Sequence, residues 1–242
     1  MNDSLVIIPT FNEKENIEAI INAVIDLGHG FDILIVDDGS PDGTADLVKA
    51  QQAKHTNIHL IQRKGKLGLG TAYITGFQFA IDHGYDFIFE MDADFSHNPT
   101  DLLALKKACK VDGYDMAVGS RYISGVNVVN WPMDRVLMSY CASKYVQFIT
   151  GIPIKDTTAG FKCYRRNVLE TIGLKNIHFV GYAFQIEMKF QAWKYNFKIT
   201  EVPIIFTDRT LGQSKMSRGI FKEAVIGVVQ MKIKSLFKKY IR

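Results

Sequence analysis

The sequence has few cysteines, no long apolar run and no linker rich in proline or glycine. Its cysteines, Cys109, Cys141 and Cys163, are far apart and lack metal-ligand spacing, so we expect buried thiols in a reducing compartment rather than a disulfide framework. No segment approaches the roughly 20 apolar residues of a membrane-spanning helix. The beginning, MNDSLVIIPT, is polar and then β-like, unlike a signal peptide. These absences predict a cytosolic protein, or one attached to the cytosolic face of a membrane.

Length and charge narrow the class further. The 242 residues can form one large α/β domain, which we place at residues 1–217, followed by a C-terminal helix at 218–242. Residues 1–118 contain 18 acidic and 9 Lys/Arg residues, whereas residues 119–242 contain 7 acidic and 20 Lys/Arg residues. Solvated faces are the alternative, but the asymmetry favours a cation site in the first half and anionic partners for the second, with no nucleic acid among them.

Short β-branched runs alternate with amphipathic stretches in the first half of the chain. The expected strands are residues 5–9, 33–37, 57–61, 87–91 and 115–119, and the expected helices are residues 13–27, 44–52, 70–83 and 99–109. This alternation predicts an α/β fold with a mostly parallel sheet and helices on both faces. Ligands of such sheets bind beyond the carboxyl ends of the strands.

Two aspartates, Asp92 and Asp94, follow the expected fourth strand in FIFEMDADFSH. Carboxylates two residues apart can turn toward one point, where they repel and raise each other's pKa. A divalent cation removes that repulsion, and hard oxygen ligands suit Mg²⁺ or Mn²⁺. A helix cap with a solvated neighbour explains a lone D-x-D equally well.

Three other polar clusters also follow expected strands. Asp37 and Asp38 leave the second strand in VDDGSPDGT, where carboxylates could accept hydrogen bonds from a nucleoside. In IPTFNEKENI, Phe11 could stack on a base, although plain helix initiation explains the stretch as well. The segment RKGKLGLGTAY is a basic, glycine-containing loop suited to phosphates, but it matches no known phosphate loop.

In this order and spacing, the motifs PTFNE, VDDGSPDGT, GLGTAY, MDADFSHNP and GSRY resemble family 2 glycosyltransferases of the GT-A fold. More narrowly, they are similar to polyprenyl (dolichyl) phosphate mannose synthases. The match runs from about Leu5 to Lys215. The combination of motifs is highly specific, whereas each motif alone is not.

The resemblance implies a GDP-mannose donor held at the sheet edge, with Mg²⁺ or Mn²⁺ bound by Asp92 and Asp94. Residues implied to bind the donor here are Pro9, Phe11, Glu13, Asp37, Asp38, Lys66, Gly68, Asp92, Ala93 and Asp94. Some members carry a glutamine ligand two residues after the second aspartate, but this chain has Ser96 there. We therefore expect no third side-chain ligand at that position.

For the second half, the resemblance implies residues around the donor diphosphate and the acceptor phosphate. These are Arg121, Arg135, Ser139, Lys144, which stands where relatives often have arginine, and Asp156, together with Arg209, Ser214 and Lys215 on a flap at residues 208–215. The groups expected to serve catalysis are Asp94, Arg121, Arg135 and Asp156. Any one of these cations could otherwise be an ordinary surface charge.

The expected acceptor is a phosphate monoester, which determines the expected mechanism. A monophosphate acceptor, with a second pKa near ~6, is mostly dianionic at neutral pH and needs no general base. Direct displacement with inversion is therefore expected.

The C-terminal stretch is basic and carries Val225, Val229, Ile233, Leu236 and Tyr240 at helical spacing. It predicts contact with an anionic membrane surface or with a separate membrane-anchoring protein, and a helix packed on the domain is the alternative.

Two other functions remain open on the sequence alone. The first is a family 2 transferase that uses another nucleotide sugar, such as UDP-glucose or UDP-N-acetylhexosamine, because no residue reads guanine against uracil. The second is a non-catalytic subunit that binds sugar nucleotides, against which the retained aspartates and arginines argue.

Overall fold

Seven strands form a central sheet in the computed structural model, which describes residues 2–209 and 218–241. The strands are β1 (Ser4–Thr10), β2 (Phe31–Asp37), β3 (Ile58–Gln62), β4 (Phe87–Glu90), β5 (Met116–Ser120), β6 (Val128–Val129), β7 (Lys162–Arg165), β8 (Ile199–Pro203) and β9 (Phe206–Thr207). The helices are α1 (Ile17–Ile25), α2 (Thr44–Gln52), α3 (Leu69–Asp82), α4 (Asp101–Lys110), α5 (Met133–Thr150), α6 (Arg166–Ile172), α7 (Tyr182–Lys194) and α8 (Arg218–Phe237). A short 3-10 helix covers Leu174–Asn176.

The sheet order is β3-β2-β1-β4-β7-β5-β8, and β7 runs antiparallel to both of its neighbours. All other pairs in this sheet are parallel. Strands β6 and β9 form a second, two-stranded parallel sheet. The predicted α/β fold with a mostly parallel sheet is therefore confirmed.

Both faces of the sheet are covered because successive side chains of a strand point to opposite sides. In β1, Leu5 and Ile7 pack against α3, α6 and α7, whereas Val6 and Ile8 pack against α1, α2 and α4. All four side chains are fully buried, and each contributes roughly 1.5–3 kcal/mol of hydrophobic free energy. A third apolar cluster joins α5, α7 and α8.

Helix α1 begins four residues later than predicted. The backbone N–H groups at 12–14 instead donate to side chains beyond β2: Asn12 to Ser40, Glu13 to Thr44, and Lys14 to Asp42. These bonds hold the end of β1 in a turn, so the helical pattern starts at Ile17.

The expectation that all three cysteines are buried is wrong for Cys141. Cys109 and Cys163 are buried, but Cys141 lies exposed on α5. Helix α5 buries only a narrow face, at Ser143, Val146 and Thr150, which leaves the rest of its surface open. Among the described residues, no helix combines the length and the apolar character needed to cross a membrane.

Candidate active site

The carboxyl ends of β1, β2 and β4 meet at one edge of the sheet. Thr10 lies beside Asp37 in the β1–β2 register, and the Met91 N–H donates to the Ile7 carbonyl oxygen at 3.1 Å. This registration places Asp92, which follows β4, next to the end of β1. The polar clusters that the sequence places after three separate strands thus occupy one edge.

The two aspartates of the D-x-D motif differ in burial, and their charges affect each other. Asp94 is buried, and its carboxylate accepts a hydrogen bond from the Ser96 N–H at 3.0 Å. Asp92 keeps part of its surface open to solvent. Desolvation, joined by the charge of Asp94, raises the pKa of Asp92 to about 7.

The two carboxylates of the D-x-D motif fit a divalent cation whose other ligands come from a bound substrate. Among the residues that the structure describes, no group of three or more His, Cys, Asp and Glu side chains could hold a metal. Two hard carboxylates that repel one another match Mg²⁺ or Mn²⁺ sites in which substrate phosphates supply further oxygens. The geometry therefore favours a cation that binds together with an anionic ligand.

A buried polar layer lies directly beneath the D-x-D motif. Lys162 on β7 is fully buried and lies 3.0 Å from Glu90 on β4, and it also contacts the side-chain oxygen of Gln185. Tyr164 donates to the other oxygen of Glu90 at 2.6 Å. Lys189 on α7 donates to the Ala159 carbonyl oxygen at 2.6 Å. These groups form a buried, hydrogen-bonded layer under the carboxylate pair, and desolvation lowers the pKa of both lysines.

At the end of β2, Asp37 and Asp38 are both committed to internal contacts. Asp37 accepts hydrogen bonds from Thr10 at 2.9 Å and from the Ser40 hydroxyl at 2.5 Å. Asp38 forms a buried ion pair with Arg63 and accepts the Leu67 N–H at 3.2 Å. Asp38 thus fixes the start of the basic loop against the sheet edge.

Other residues expected at the donor also meet around this edge. The Lys66 ammonium lies 5.2 Å from the centre of the Phe11 ring, a cation–π contact. Glu13 is buried and accepts the Asn16 amide at 3.0 Å. Gly68 precedes α3 with φ at 100°, a conformation that a residue with a Cβ rarely adopts. Pro9, in β1, is partly exposed, and Ala93 is buried between the two aspartates.

Arg121 and Asp156 form a buried bidentate pair. The two nitrogens of the Arg121 fork donate to the Asp156 carboxylate at 2.7 and 2.6 Å, and the Arg121 N–H donates at 3.0 Å. Although burial opposes it, the Arg121 charge and these hydrogen bonds hold the pKa of Asp156 below its usual value. Asp156 therefore acts on the site by fixing Arg121.

Arg121 and Arg135 converge on one indole ring. The guanidinium of Arg135 lies 4.1 Å from the centre of the Trp131 ring, and that of Arg121 lies 5.4 Å away. Arg135 also donates to Asp208 at 2.8 Å. Two fixed cations thus flank Trp131, an arrangement suited to binding an anion with several oxygens.

Helix α5 carries two further predicted residues, Ser139 and Lys144. Ser139, one turn after Arg135, accepts a hydrogen bond from Tyr122 at 2.8 Å. Lys144 is exposed and contacts Gln147 and the ring of Tyr140. Nine residues at 1.5 Å each place Lys144 about 13 Å along the axis from Arg135.

Arg209 connects the end of β9 to the D-x-D motif. Its guanidinium lies 3.0 Å from the Asp94 carboxylate. The Thr207 N–H donates to the Ser96 carbonyl oxygen at 3.1 Å, which fastens β9 to the loop that carries both aspartates. Ser214 and Lys215, also predicted for this flap, lie outside the described residues.

The sequence interpretation misses several residues that the structure places at this edge. Arg63, Trp131 and Asp208 hold predicted residues in place, although each lies within or beside a motif. His97 is buried, stacks on Phe161 at 4.8 Å, and has its pKa lowered to about 4 by desolvation. The Ser-His pair after D-x-D was the available signal for His97, but its burial between aromatic rings is a tertiary fact.

Comparison with known proteins gives consistent matches. The family model described as "Glycosyl transferase family 2" matches residues 5–173. The chain is 44% identical to the polyprenol monophosphomannose synthase of Mycolicibacterium smegmatis, covering 96% of this chain and 87% of that protein. It is 42% identical to the undecaprenyl-phosphate mannosyltransferase of Micrococcus luteus, covering 93% and 92%. In fold it resembles a mannosyltransferase of Pyrobaculum calidifontis solved with GDP-Man and Mn²⁺, with a TM-score of 0.59 at 15% identity over 97% of this chain and 74% of that one.

Proposed function

Because this chain belongs to glycosyltransferase family 2 and has the GT-A fold that its motifs predict, we propose that it transfers mannose from GDP-mannose to a polyprenyl monophosphate. The names of the two relatives above 40% identity support this donor sugar and this acceptor class. One structural observation carries the proposal: Arg121 and Arg135 both contact Trp131, and Arg135 pairs with Asp208, whose neighbour Arg209 pairs with Asp94 of the D-x-D motif. That arrangement provides for two anionic substrates at once.

The donor would lie across the carboxyl ends of β1, β2 and β4. The nucleoside would contact Phe11 and the turns at 10–13 and 37–40, and its diphosphate would reach Asp92 and Asp94. Mg²⁺ or Mn²⁺ held by these two carboxylates would neutralise charge on the departing diphosphate. Lys66, beside Phe11, would add a second cation on the nucleotide side.

The acceptor phosphate would be held by Arg121 and Arg135. One of its oxygens attacks the anomeric carbon of mannose as the bond to GDP breaks, which inverts the configuration at that carbon. No proton has to be removed from a dianionic phosphate, so this step needs no general base. Asp156 keeps Arg121 oriented during this step, because all of its bonds to Arg121 are already formed.

A membrane surface is the proposed location of the lipid acceptor. The outward face of α5 exposes Met133, Leu137, Tyr140 and Phe148, and Phe148 is 87% exposed. The α5 face begins beside Arg135, at the predicted acceptor site. On α8, which packs against α5, the exposed apolar residues include Ile226, Val229, Ile233, Leu236 and Phe237.

A basic side chain accompanies the apolar face of α5, where Lys144 is exposed. Apolar contact with the lipid interior and attraction to anionic headgroups would act together. These features support peripheral attachment to the cytosolic face. A separate anchoring protein on the same faces remains the other prediction.

A donor panel tests the transfer reaction. The full chain is incubated with a short polyprenyl phosphate, Mn²⁺ and either GDP-mannose, UDP-glucose or UDP-N-acetylglucosamine, and lipid products are identified by mass spectrometry. We expect a polyprenyl-phosphate hexose with GDP-mannose only. Turnover with a UDP-sugar and none with GDP-mannose would overturn the donor assignment, and no turnover with any donor would favour a non-catalytic subunit.

Cosedimentation with phosphatidylcholine–phosphatidylglycerol vesicles tests the membrane contact separately. Phe148→Asp should weaken binding by about tenfold or more, given the roughly 1.5–3 kcal/mol of a buried aromatic side chain. Val111→Asp is the matched control, because Val111 is 72% exposed and lies after α4, away from both faces. Equal effects of the two substitutions would contradict a role for the α5 face.

A further inference from the structure

A separate cavity of about 200 Å³ lies between α7, α8 and the segment after the short 3-10 helix. Its lining includes Lys234, Lys238, Gln191, Gln230, His178 and Glu187. None of these residues belongs to the proposed donor or acceptor site. The volume is far above the roughly 10–15 Å³ that a single water requires, so a polyatomic ligand fits.

The cavity presents mainly hydrogen-bond donors. Lys234 and Lys238 contribute two ammonium groups, and His178 adds an imidazole ring. Gln191 is 6% exposed, and its carbonyl oxygen accepts from Lys238 at 3.2 Å. That bond orients the side chain so that its remaining polar group is the NH₂ donor end.

Glu187, the acidic residue of the lining, already accepts hydrogen bonds from the backbone that forms the wall of the cavity. Its carboxylate accepts the backbone N–H groups of His178 and Phe179, both at 3.0 Å. Desolvation raises the pKa of this carboxyl above its usual value. Both effects reduce its repulsion of an anion, and the two lysines remain as the dominant charge.

Lys238 is held in place rather than extended into solvent. Its ammonium lies 5.3 Å from the centre of the Tyr195 ring and 5.0 Å from that of Tyr240. These rings and Gln191 fix the charge at the mouth of the cavity. A fixed cation loses less side-chain entropy on binding than a free surface lysine does.

We infer that this cavity is a second anion site, which binds a phosphate group through Lys234, Lys238 and the Gln191 amide. Two sources share that chemistry, namely a phospholipid headgroup and free phosphate. A lipid headgroup can reach the cavity because Phe237, which is 85% exposed, lies one turn after Lys234 on the same side of α8. The inference does not depend on which sugar the protein transfers.

The first experiment locates the site with inorganic phosphate. The full chain, labelled with ¹³C at the histidine rings, is titrated in metal-free buffer while the His178 signal is followed by NMR. We expect a saturable shift that Lys234→Gln and Lys238→Gln each weaken by about tenfold, the effect of roughly one lost charge-assisted contact. Lys239→Gln removes the same charge from a residue outside the lining and should change the affinity less than twofold.

The second experiment separates the two sources. Wild-type protein and the same three variants are cosedimented with phosphatidylcholine vesicles that contain phosphatidic acid, with and without inorganic phosphate. A headgroup site predicts that Lys238→Gln weakens binding about tenfold more than Lys239→Gln, and that phosphate competes. A free-phosphate site predicts the His178 shift together with equal vesicle binding of the two variants. Absence of a saturable His178 shift, or an equal effect of Lys239→Gln on it, would overturn the inference.

Discussion

The guanidinium of Arg209 lies 3.0 Å from the carboxylate of Asp94, the second acidic residue of the D-x-D motif. Arg209 follows β9, whereas Asp94 follows β4, so the contact joins distant parts of the chain. A side-chain cation thus pairs with a carboxylate that we propose as a ligand of a divalent cation. If Asp94 held such a cation, Arg209 would compete with it for the same carboxylate, and the Arg209 guanidinium could instead bind the donor diphosphate.

Replacing Arg209 should tighten metal binding in the absence of nucleotide. In Arg209→Gln, Mn²⁺ no longer competes with a guanidinium for Asp94, and we expect the affinity to rise by about tenfold, or roughly 1.4 kcal/mol. Electron paramagnetic resonance of free Mn²⁺ measures this directly. Arg135→Gln is the matched control, because Arg135 pairs with Asp208 instead of Asp94. An unchanged Mn²⁺ affinity in Arg209→Gln would show that the ion pair does not oppose the metal.

Removing the charge of Asp94 should have the opposite effect. Asp94→Asn keeps the shape and one acceptor oxygen but removes the negative charge that a divalent cation needs. We expect at least about 100-fold loss of transfer and of Mn²⁺ affinity in the presence of GDP, since even outer-shell changes at metal sites cost 10- to 100-fold. The melting temperature should stay close to that of the wild type. Near-normal transfer by a folded variant would contradict the metal role.

Breaking the Arg121–Asp156 pair should destabilise the fold. Asp156→Asn leaves the buried Arg121 charge without its counter-ion, and we expect the free energy of unfolding to fall by about 3–5 kcal/mol. Urea denaturation provides the measurement. Asp112→Asn, which disrupts the exposed pair with Lys107, should cost less than about 1 kcal/mol. Similar losses in the two variants would mean that burial does not strengthen the Arg121 pair.

His97 should make stability depend on pH. Its pKa is about 4 in the folded protein against 6.5 for an ordinary histidine, because the folded site excludes the charged form. The unfolded chain therefore binds the extra proton first, and stability falls as pH drops through 6.5 toward 4, by roughly 3 kcal/mol in total. At pH 5 about 2 kcal/mol of that loss is already present.

His97→Phe tests this dependence, because a phenyl ring keeps the aromatic stacking but cannot be protonated. Relative to the wild type, the variant should gain about 2 kcal/mol in unfolding free energy at pH 5 compared with pH 8. Urea denaturation of metal-free protein at the two pH values gives the difference. Taking the difference between variant and wild type removes the contribution of Asp92, whose raised pKa has the opposite sign. Parallel pH profiles of the two proteins would rule out His97 as the titrating group.

Several elements follow from local pattern alone. The predicted strand at 33–37 lies within β2, and the predicted helix at 44–52 coincides with α2. The strand is an uninterrupted apolar run that ends at Asp37, and the helix begins directly after the turn residues SPDG. The sequence does not predict β7, because this strand has four residues and a basic residue at each end, and Lys162 is tolerated there through its buried contacts with Glu90 and Gln185.

The α/β class, the family and the groups at the sheet edge can all be predicted from the sequence, because strand–helix alternation and motif order are local properties of the chain. Which of those groups are paired depends on the three-dimensional fold. Asp156 fixes Arg121, Asp38 fixes Arg63, and Arg209 reaches Asp94 across more than a hundred residues. Such pairs depend on how loops approach one another in space, and burial sets the pKa values of Asp92 and His97 through charges and rings from distant segments. Neither distance nor desolvation is encoded in any short stretch of residues.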